Sequence, residues 1–347
     1  MRVIKQLLTS GLCALLLFNI SVSFATSATE TDDLLYTVKK NDTVWGVCKV
    51  YVNDPLCWKK LVEYNQLKNP KYLPPKSIIR IPKSWLRDHS TTALVIAVEG
   101  QVSVARQGSQ EQKDLVVGDL LSQQDVVRAL NGTAMIKFAD QSRLLLKANS
   151  TIRMASLQFY DPSQLVNTRV ELLKGRVKAQ VEKISNENSR YEIVTPAAVA
   201  AVRGTEFRVA NDQDENGLTV MRTELLTGAL EVVSGNSKQN IIAGQAVMAV
   251  EGEGVFDPVT LLPRPLLDIN GARSFQLPYE IEWQPIEGAV SYKVTLMAES
   301  NQLWQESTKE TKFTLQDLDS GSFEFLIRGV DSQGFEGRNR RLRVNLP

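Results

Sequence analysis

The chain has 347 residues, of which 43% are hydrophobic and 23% charged, with a formal net charge of +1. That length suits two or three domains, and the composition excludes a disordered chain. The near-neutral balance excludes the basic footprint of a nucleic-acid binder and a polybasic membrane signal.

The first 25 residues set the expected compartment. Arg2 and Lys5 precede an apolar stretch from Leu7 to Val22, and Ser23-Phe24-Ala25 offers small residues at the two positions a signal peptidase reads. Residues 1–25 are therefore expected to be a secretory signal peptide. A retained N-terminal anchor is the alternative, although the stretch is short for a spanning helix. Removing Arg2 and Lys5 takes the charge from +1 to −1. Cys13 follows Leu12 rather than the small residue that a lipid-attachment site needs. Cys48 and Cys57 remain, nine residues apart, and an exported chain with two such cysteines is expected to join them in one disulfide. Two free buried thiols are the alternative. The spacing is not that of a CxxC redox pair, two thiolates do not complete a zinc site, and no cofactor or metal is expected.

Residues 34–83 form the first module. Tyr36-Thr37-Val38-Lys39 alternates as a strand, and Asn41-Asp42-Thr43 offers a helix N-cap before Val44-Trp45-Gly46-Val47. A second helical stretch runs from Leu56 to Tyr64, and Ile78-Ile79-Arg80-Ile81-Pro82 closes the module as a strand. A β-α-α-β unit this small has little core, so a disulfide between its helices would help hold it. Helical spacing puts Trp45 on the face to be buried.

Tyr36-x-Val38 with Asp42-Thr43-Val44-Trp45, then Asn65, Asn69-Pro70 and Ile79-x-Ile81-Pro82, resembles the LysM domain. The resemblance implies binding of peptidoglycan or another N-acetylglucosamine-containing glycan in a shallow groove between two loops, here 41–45 and 69–73. Asp42, Thr43, Val44 and Asn69 would contact the sugar, with Tyr72 and Leu73 as its platform. Asn41 stands where the family has a glycine, and Pro74-Pro75-Lys76 where it has Pro-Gly. Residues 84–92 are polar and read as a linker holding His89, the one histidine of the chain.

Residues 93–256 are expected to be all-β. Runs after Gly100, Gly175 and Gly228 alternate as half-buried strands. ALNGTAMIKFAD at 129–140 lines up with AVRGTEFRVAND at 201–212, which suggests two related β-units packed as a roll or solenoid-like sandwich. Thr195-Pro196 followed by Arg203-Gly204-Thr205-Glu206 resembles the core signature of the FecR domain. That resemblance implies a periplasmic all-β interaction domain. In the corner itself Gly204 is expected to allow a tight turn, Thr205 to satisfy a main-chain group, and Arg203 to pair with Glu206 or another carboxylate.

Residues 257–277 form a proline-rich joint, and 278–347 read as alternating strands. Trp283 on an early strand, Gly288 to Tyr292 and Phe323 resemble a fibronectin type III-like sandwich, with those aromatics in its core. The fold class expected is thus multidomain and mainly β: a LysM-like module, a FecR-like roll and an immunoglobulin/fibronectin-III-like sandwich. No nucleophile elbow, zinc helix or phosphate loop occurs. The reading is a non-enzymatic envelope protein of a Gram-negative periplasm, bound to peptidoglycan and to an unidentified envelope protein. A carboxylate-based cell-wall hydrolase and an envelope signalling component are the alternatives.

Overall fold

The computed structural model describes residues 33–346 apart from Asn53, 88–89, Gln110, 161–164, 184–188, Arg203, 268–276, 299–300 and Asp317. The N-terminal module pairs β1 (Asp33–Thr37) with β2 (Ile78–Pro82) beneath α1 (Val44–Tyr51) and α2 (Cys57–Tyr64). Thr43 caps α1 by accepting from Gly46 N at 3.0 Å. Cys48 and Cys57 are disulfide-bonded. Val44, Val47, Cys48 and Tyr51 form the inward stripe of α1, while Trp45 lies one step off it and is 63% exposed. Trp45 is therefore not a core residue, contrary to the expectation from spacing.

The supposed linker is largely docked. Lys83–Trp85 form a short 3-10 turn, Trp85 and Leu86 pack on the first module, and Arg87 N donates to Tyr51 O at 2.7 Å. Thr91 N already bonds to Leu157 O of the next domain at 2.9 Å. His89 lies outside the described residues.

The roll begins with β3 (Ala93–Glu99), β4 (Val102–Ala105), β5 (Gln112–Asp114), β6 (Leu120–Leu121), β7 (Val126–Ala129), β8 (Thr133–Lys137), β9 (Arg143–Leu146) and β10 (Ser150–Tyr160). The 16-residue β11 (Leu165–Gln180) follows, then β12 (Arg190–Val194), β13 (Val199–Val202), β14 (Glu206–Gln213), β15 (Thr219–Thr227) and β16 (Ala229–Ser234). It ends with β17 (Ser237–Ile242), β18 (Gln245–Val250), β19 (Gly254–Val255) and β20 (Val259–Thr260), so pairing continues past residue 256 into the proline-rich joint.

Strand β11 is the spine of both layers. Its first half pairs β10 and, in parallel, β12; its second half pairs β9 and β14. One layer runs β5-β4-β7-β10-β11-β12-β13-β16-β17, and the other β6-β3-β8-β9-β11-β14-β15-β18. Residues before β11 thus occupy one side of the spine in both layers, and residues after it the other. The internal repeat predicted two related β-units packed together, and the structure joins them through one shared strand. The inward residues of both layers merge into one core that includes Val95, Ile136, Leu146, Val177, Phe207 and Leu225.

Glycines set the corners between layers. Gly175, at φ 87°, marks where β11 changes layer, and a Cβ there would lie 2.5 Å from Asn149 O. Gly228, also at φ 87°, lies against the Gly204-Thr205 corner, where an added Cβ would be 2.7 Å from Gly204 O. Gly100 packs in the same way on the corner at Gly132, its Cβ position 2.9 Å from Gly132 Cα. Both Gly-Thr corners of the repeat are therefore covered by a left-handed glycine that begins a neighbouring strand.

The C-terminal sandwich pairs β21 (Tyr279–Glu282) with β24 (Lys312–Leu315) over a sheet ordered β23 (Asn301–Thr308), β22 (Ala289–Ala298), β25 (Gly321–Asp331) and β26 (Arg340–Leu346). Trp283 and Tyr292 are buried with ring centroids 5.3 Å apart, and Phe323 packs partly buried on the same core.

Roll and sandwich meet on the outer face of β14 and β15. Phe207 and Val209 point into the roll; Arg208, between them, is buried against the sandwich. It meets Glu336, which is fully buried in the Gly334-Phe335-Glu336-Gly337 turn. One Glu336 oxygen meets Lys293 Nζ at 2.5 Å and Arg176 Nη1 at 3.1 Å. The other meets Arg328 Nε at 2.5 Å, Arg208 Nη1 at 3.5 Å and Lys147 Nζ at 3.9 Å. Glu224 lies 2.5 Å from Arg208 Nε and accepts from Glu336 N at 2.6 Å. Burial alone would raise the Glu336 pKa, but the surrounding Arg328, Lys147, Lys293 and Arg208 hold it well below the ordinary carboxylate value.

Replacing Glu336 by Gln leaves these cations buried around a neutral amide. We expect E336Q to lower the stability of the roll–sandwich unit by ~3–5 kcal/mol, read as a fall in its melting temperature. Since the folded pKa of Glu336 is depressed, its contribution is present above the unfolded value and lost as pH falls through the folded one. The part of the difference due to the Glu336 charge should therefore be present at neutral pH and be lost only in acid, as pH falls from the unfolded carboxylate value through the depressed folded one. Gly228→Ala combines a left-handed backbone with a clash and is expected to cost ~2–4 kcal/mol in denaturant unfolding.

Candidate functional site

Main-chain bonds beyond the β1–β2 pairing tie the chain just before the first expected loop to the chain just after the second. Val38 N donates to Ser77 O and Lys76 N to Val38 O, each at 2.8 Å. Asn41 and Lys76 both adopt φ 70°, so each takes the left-handed turn that a glycine would supply there more easily.

Within this frame the candidate residues divide into two groups. Asp42 is committed to the fold: its Oδ2 accepts from Tyr36 OH at 2.5 Å and Lys39 N at 2.6 Å. Burial and this carboxylate together raise the Tyr36 pKa. Thr43 is engaged as the α1 cap, and Val44 and Leu73 are buried in the core. Leu73 therefore offers no side-chain platform. Asn69 is exposed and holds its own loop, its Oδ1 accepting from Lys71 N at 3.0 Å while its main-chain O accepts from Tyr72 N at 3.3 Å. Tyr72 is exposed to the same degree as Trp45, at 63%. Lys49 Nζ sits 5.8 Å from the Trp45 ring centroid. One large solvent-facing ring thus projects from the first turn of α1, and another from the loop 69–73, beside the Asn69 amide and the main chain of Lys71 and Tyr72.

The described residues of the second set build a chain corner. Thr195 Oγ1 accepts from Ala198 N at 3.2 Å and turns the chain at exposed Pro196, between β12 and β13. Ala197, Ala198 and Ala200 are buried, as suits a closely packed strand. Arg203 lies outside the described residues. Gly204 adopts φ 66°. Thr205 is buried, and its hydroxyl has no hydrogen-bond partner among the described residues. The main-chain group at this corner is satisfied instead by Thr227 Oγ1, which accepts from Glu206 N at 3.0 Å. Glu206 pairs with Lys178 Nζ at 2.6 Å. Apart from the Thr205 hydroxyl, the described polar groups of this corner are engaged within the fold.

The residues that sequence reading missed are those around Glu336. A Gly-Phe-Glu-Gly turn, and single charges inside the apolar runs Phe207-Arg208-Val209 and Thr223-Glu224-Leu225, were the available signals. Among the described residues no group of three or more His, Cys, Asp or Glu side chains is placed to hold a metal ion. No described helix is long and apolar enough to cross a membrane.

Comparison with known proteins follows the same division. Residues 36–82 match the LysM domain family and residues 125–231 the FecR protein family. An uncharacterised protein of Deinococcus radiodurans is 36% identical over 53 residues, 15% of this chain and 21% of that protein. Among solved structures, a candidate anti-sigma factor from Parabacteroides distasonis aligns at 19% identity and a TM-score of 0.32, over 38% of this chain and 57% of its own. FN3tt aligns at 18% identity and a TM-score of 0.20, over 24% of this chain and 95% of its own. The extracellular domain of BT4673 from B. thetaiotaomicron aligns at 8% identity and a TM-score of 0.18, over 81% of this chain and 64% of its own. The chain thus spans about a fifth of that curated relative and just over half of that first structure. It carries a LysM domain on its β-α-α-β module, followed by a FecR domain within the roll that surrounds β11.

Proposed function

We propose that the protein is a non-enzymatic component of the cell envelope, in which the LysM domain holds the FecR-like roll and the sandwich against peptidoglycan. LysM and FecR are binding and regulatory families of extracytoplasmic or envelope proteins, and LysM domains bind N-acetylglucosamine-containing glycans. The observation that carries the reading is the exposure of two large rings in the LysM module, Trp45 at the start of α1 and Tyr72 in the loop 69–73. Sugar rings stack on such faces, and the main-chain and amide groups of 69–73 supply hydrogen bonds. Trp45 takes the place in this site that Leu73 was expected to fill. The export signal, the periplasmic location and a protein partner for the roll and sandwich are parts of the same proposal.

The hydrolase alternative needs a pair of accessible carboxylates. Three buried acids are unavailable for that role: Glu224 and Glu336 are enclosed by cations, and Asp125 is held by Arg106 and the main-chain N–H groups of Gln107 and Ser122.

A sedimentation assay with purified sacculi tests the reading. The wild-type protein should be retained without release of muropeptides. Y72A and W45A, which remove exposed side chains, should each weaken retention by about tenfold with an unchanged melting temperature. Retention unaffected by both substitutions would remove the groove from consideration. Muropeptide release abolished by changing a single acidic residue would establish the hydrolase instead.

A further inference from the structure

The last strand carries an unusual concentration of charge for an element at the edge of a sheet. Arg340, Arg341 and Arg343 are three arginines within four residues of β26, and no acidic residue occurs from Gly337 to Pro347. Strand β26 is the terminal strand of its sheet, with β25 on one side and no strand among the described residues on the other. Its inward residues Val344 and Leu346 are buried, while Arg341, Arg343 and Asn345 face outward. The Arg341 and Arg343 side chains are 57% and 85% exposed, and they share one carboxylate, Glu324, at 3.7 Å each. A single loosely held acid leaves this edge net positive.

We propose that the free edge of β26 is a docking site for an extended acidic segment of a partner protein, which would join the sheet as its fifth strand. Outward residues on a strand recur about every 7 Å, so Arg341 and Arg343 match a partner strand with Asp or Glu at alternate positions. Main-chain pairing along the edge supplies affinity, and the arginines supply selectivity and direction. A second copy of this chain is disfavoured, because edge-to-edge pairing of two β26 strands brings their arginines together. The edge is also held ready. Glu336, just before β26, is fixed by its cation cluster, Gly337 N bonds to Gly329 O at 2.8 Å, and Arg338 N to Leu262 O at 3.0 Å. Little backbone ordering remains to oppose binding. The site is independent of whether the LysM groove binds glycan.

The test uses the protein and a fluorescein-labelled ten-residue peptide of alternating glutamate and valine. Fluorescence anisotropy should show binding that weakens with salt. Amide hydrogen exchange should slow across residues 340–346 when the peptide is added. R341Q/R343Q should lower the affinity by about tenfold or more while leaving the melting temperature unchanged, and a lysine–valine peptide should not bind. The same peptide N-methylated at alternate residues, which cannot pair along a strand edge, should also fail. Several outcomes would overturn the proposal. These are no binding, binding unaffected by R341Q/R343Q, or equal binding of polyglutamate or phosphatidylglycerol vesicles with no slowed exchange in β26. Concentration-dependent self-association that protects the same amides would assign the edge to a second copy instead.

Discussion

The buried Glu336 carboxylate is the constraint around which the two larger domains are arranged. Removing a carboxylate and its neighbouring cations from water costs several kcal/mol per ion, and only dense compensation makes the arrangement stable. Here the compensation comes from both sides of a domain boundary: Lys147, Arg176 and Arg208 from the roll, Lys293 and Arg328 from the sandwich. Gln305 and Thr295 accept from Arg328, so its remaining donors are not stranded. An apolar interface would tolerate some sliding. A network of directional bonds does not, because each displacement leaves a buried charge without its partner. The roll and the sandwich are therefore joined through bonds that neither could make alone.

Within the roll, a second constraint is geometric. A single strand that belongs to both layers fixes their relative register, since the pairing of its first half determines where its second half begins. The glycines at the corners permit that continuity. Asn211 supports it by donating to Leu172 O and Leu173 O, just before β11 crosses at Gly175. Ser150 supports it from the other side through its bonds with the main chain of Arg176. Corner and spine together explain why the Gly-Thr motif recurs: each half of the domain needs one tight turn where a neighbouring strand starts.

Much of this was legible in the sequence. Alternation located the strands, the repeated Gly-Thr corner anticipated two related halves, and the spacing of Cys48 and Cys57 anticipated their bond. Thr43 was readable as a cap because hydroxyl and helix are neighbours in the chain. Trp45 was misplaced although the information was present, since residues 44, 47, 48 and 51 already complete a buried stripe that excludes it. Leu73 was misassigned because a loop has no periodicity to show which side chain turns inward. The Glu336 cluster was hidden for a different reason. Alternation predicts that Arg208 and Glu224 point away from their own core, but what covers that outer face is set by residues more than a hundred positions away.

The short connection after the first module has a mechanical meaning. Arg87 is tied to Tyr51 and Thr91 to Leu157, which leaves four residue steps, at most about 14 Å of chain, between the two anchored points. A long flexible tail would let its cargo explore a wide shell around the point of attachment. A tie this short acts as a bracket. The first module and the roll are thereby kept within a few residues of each other, whatever either of them contacts.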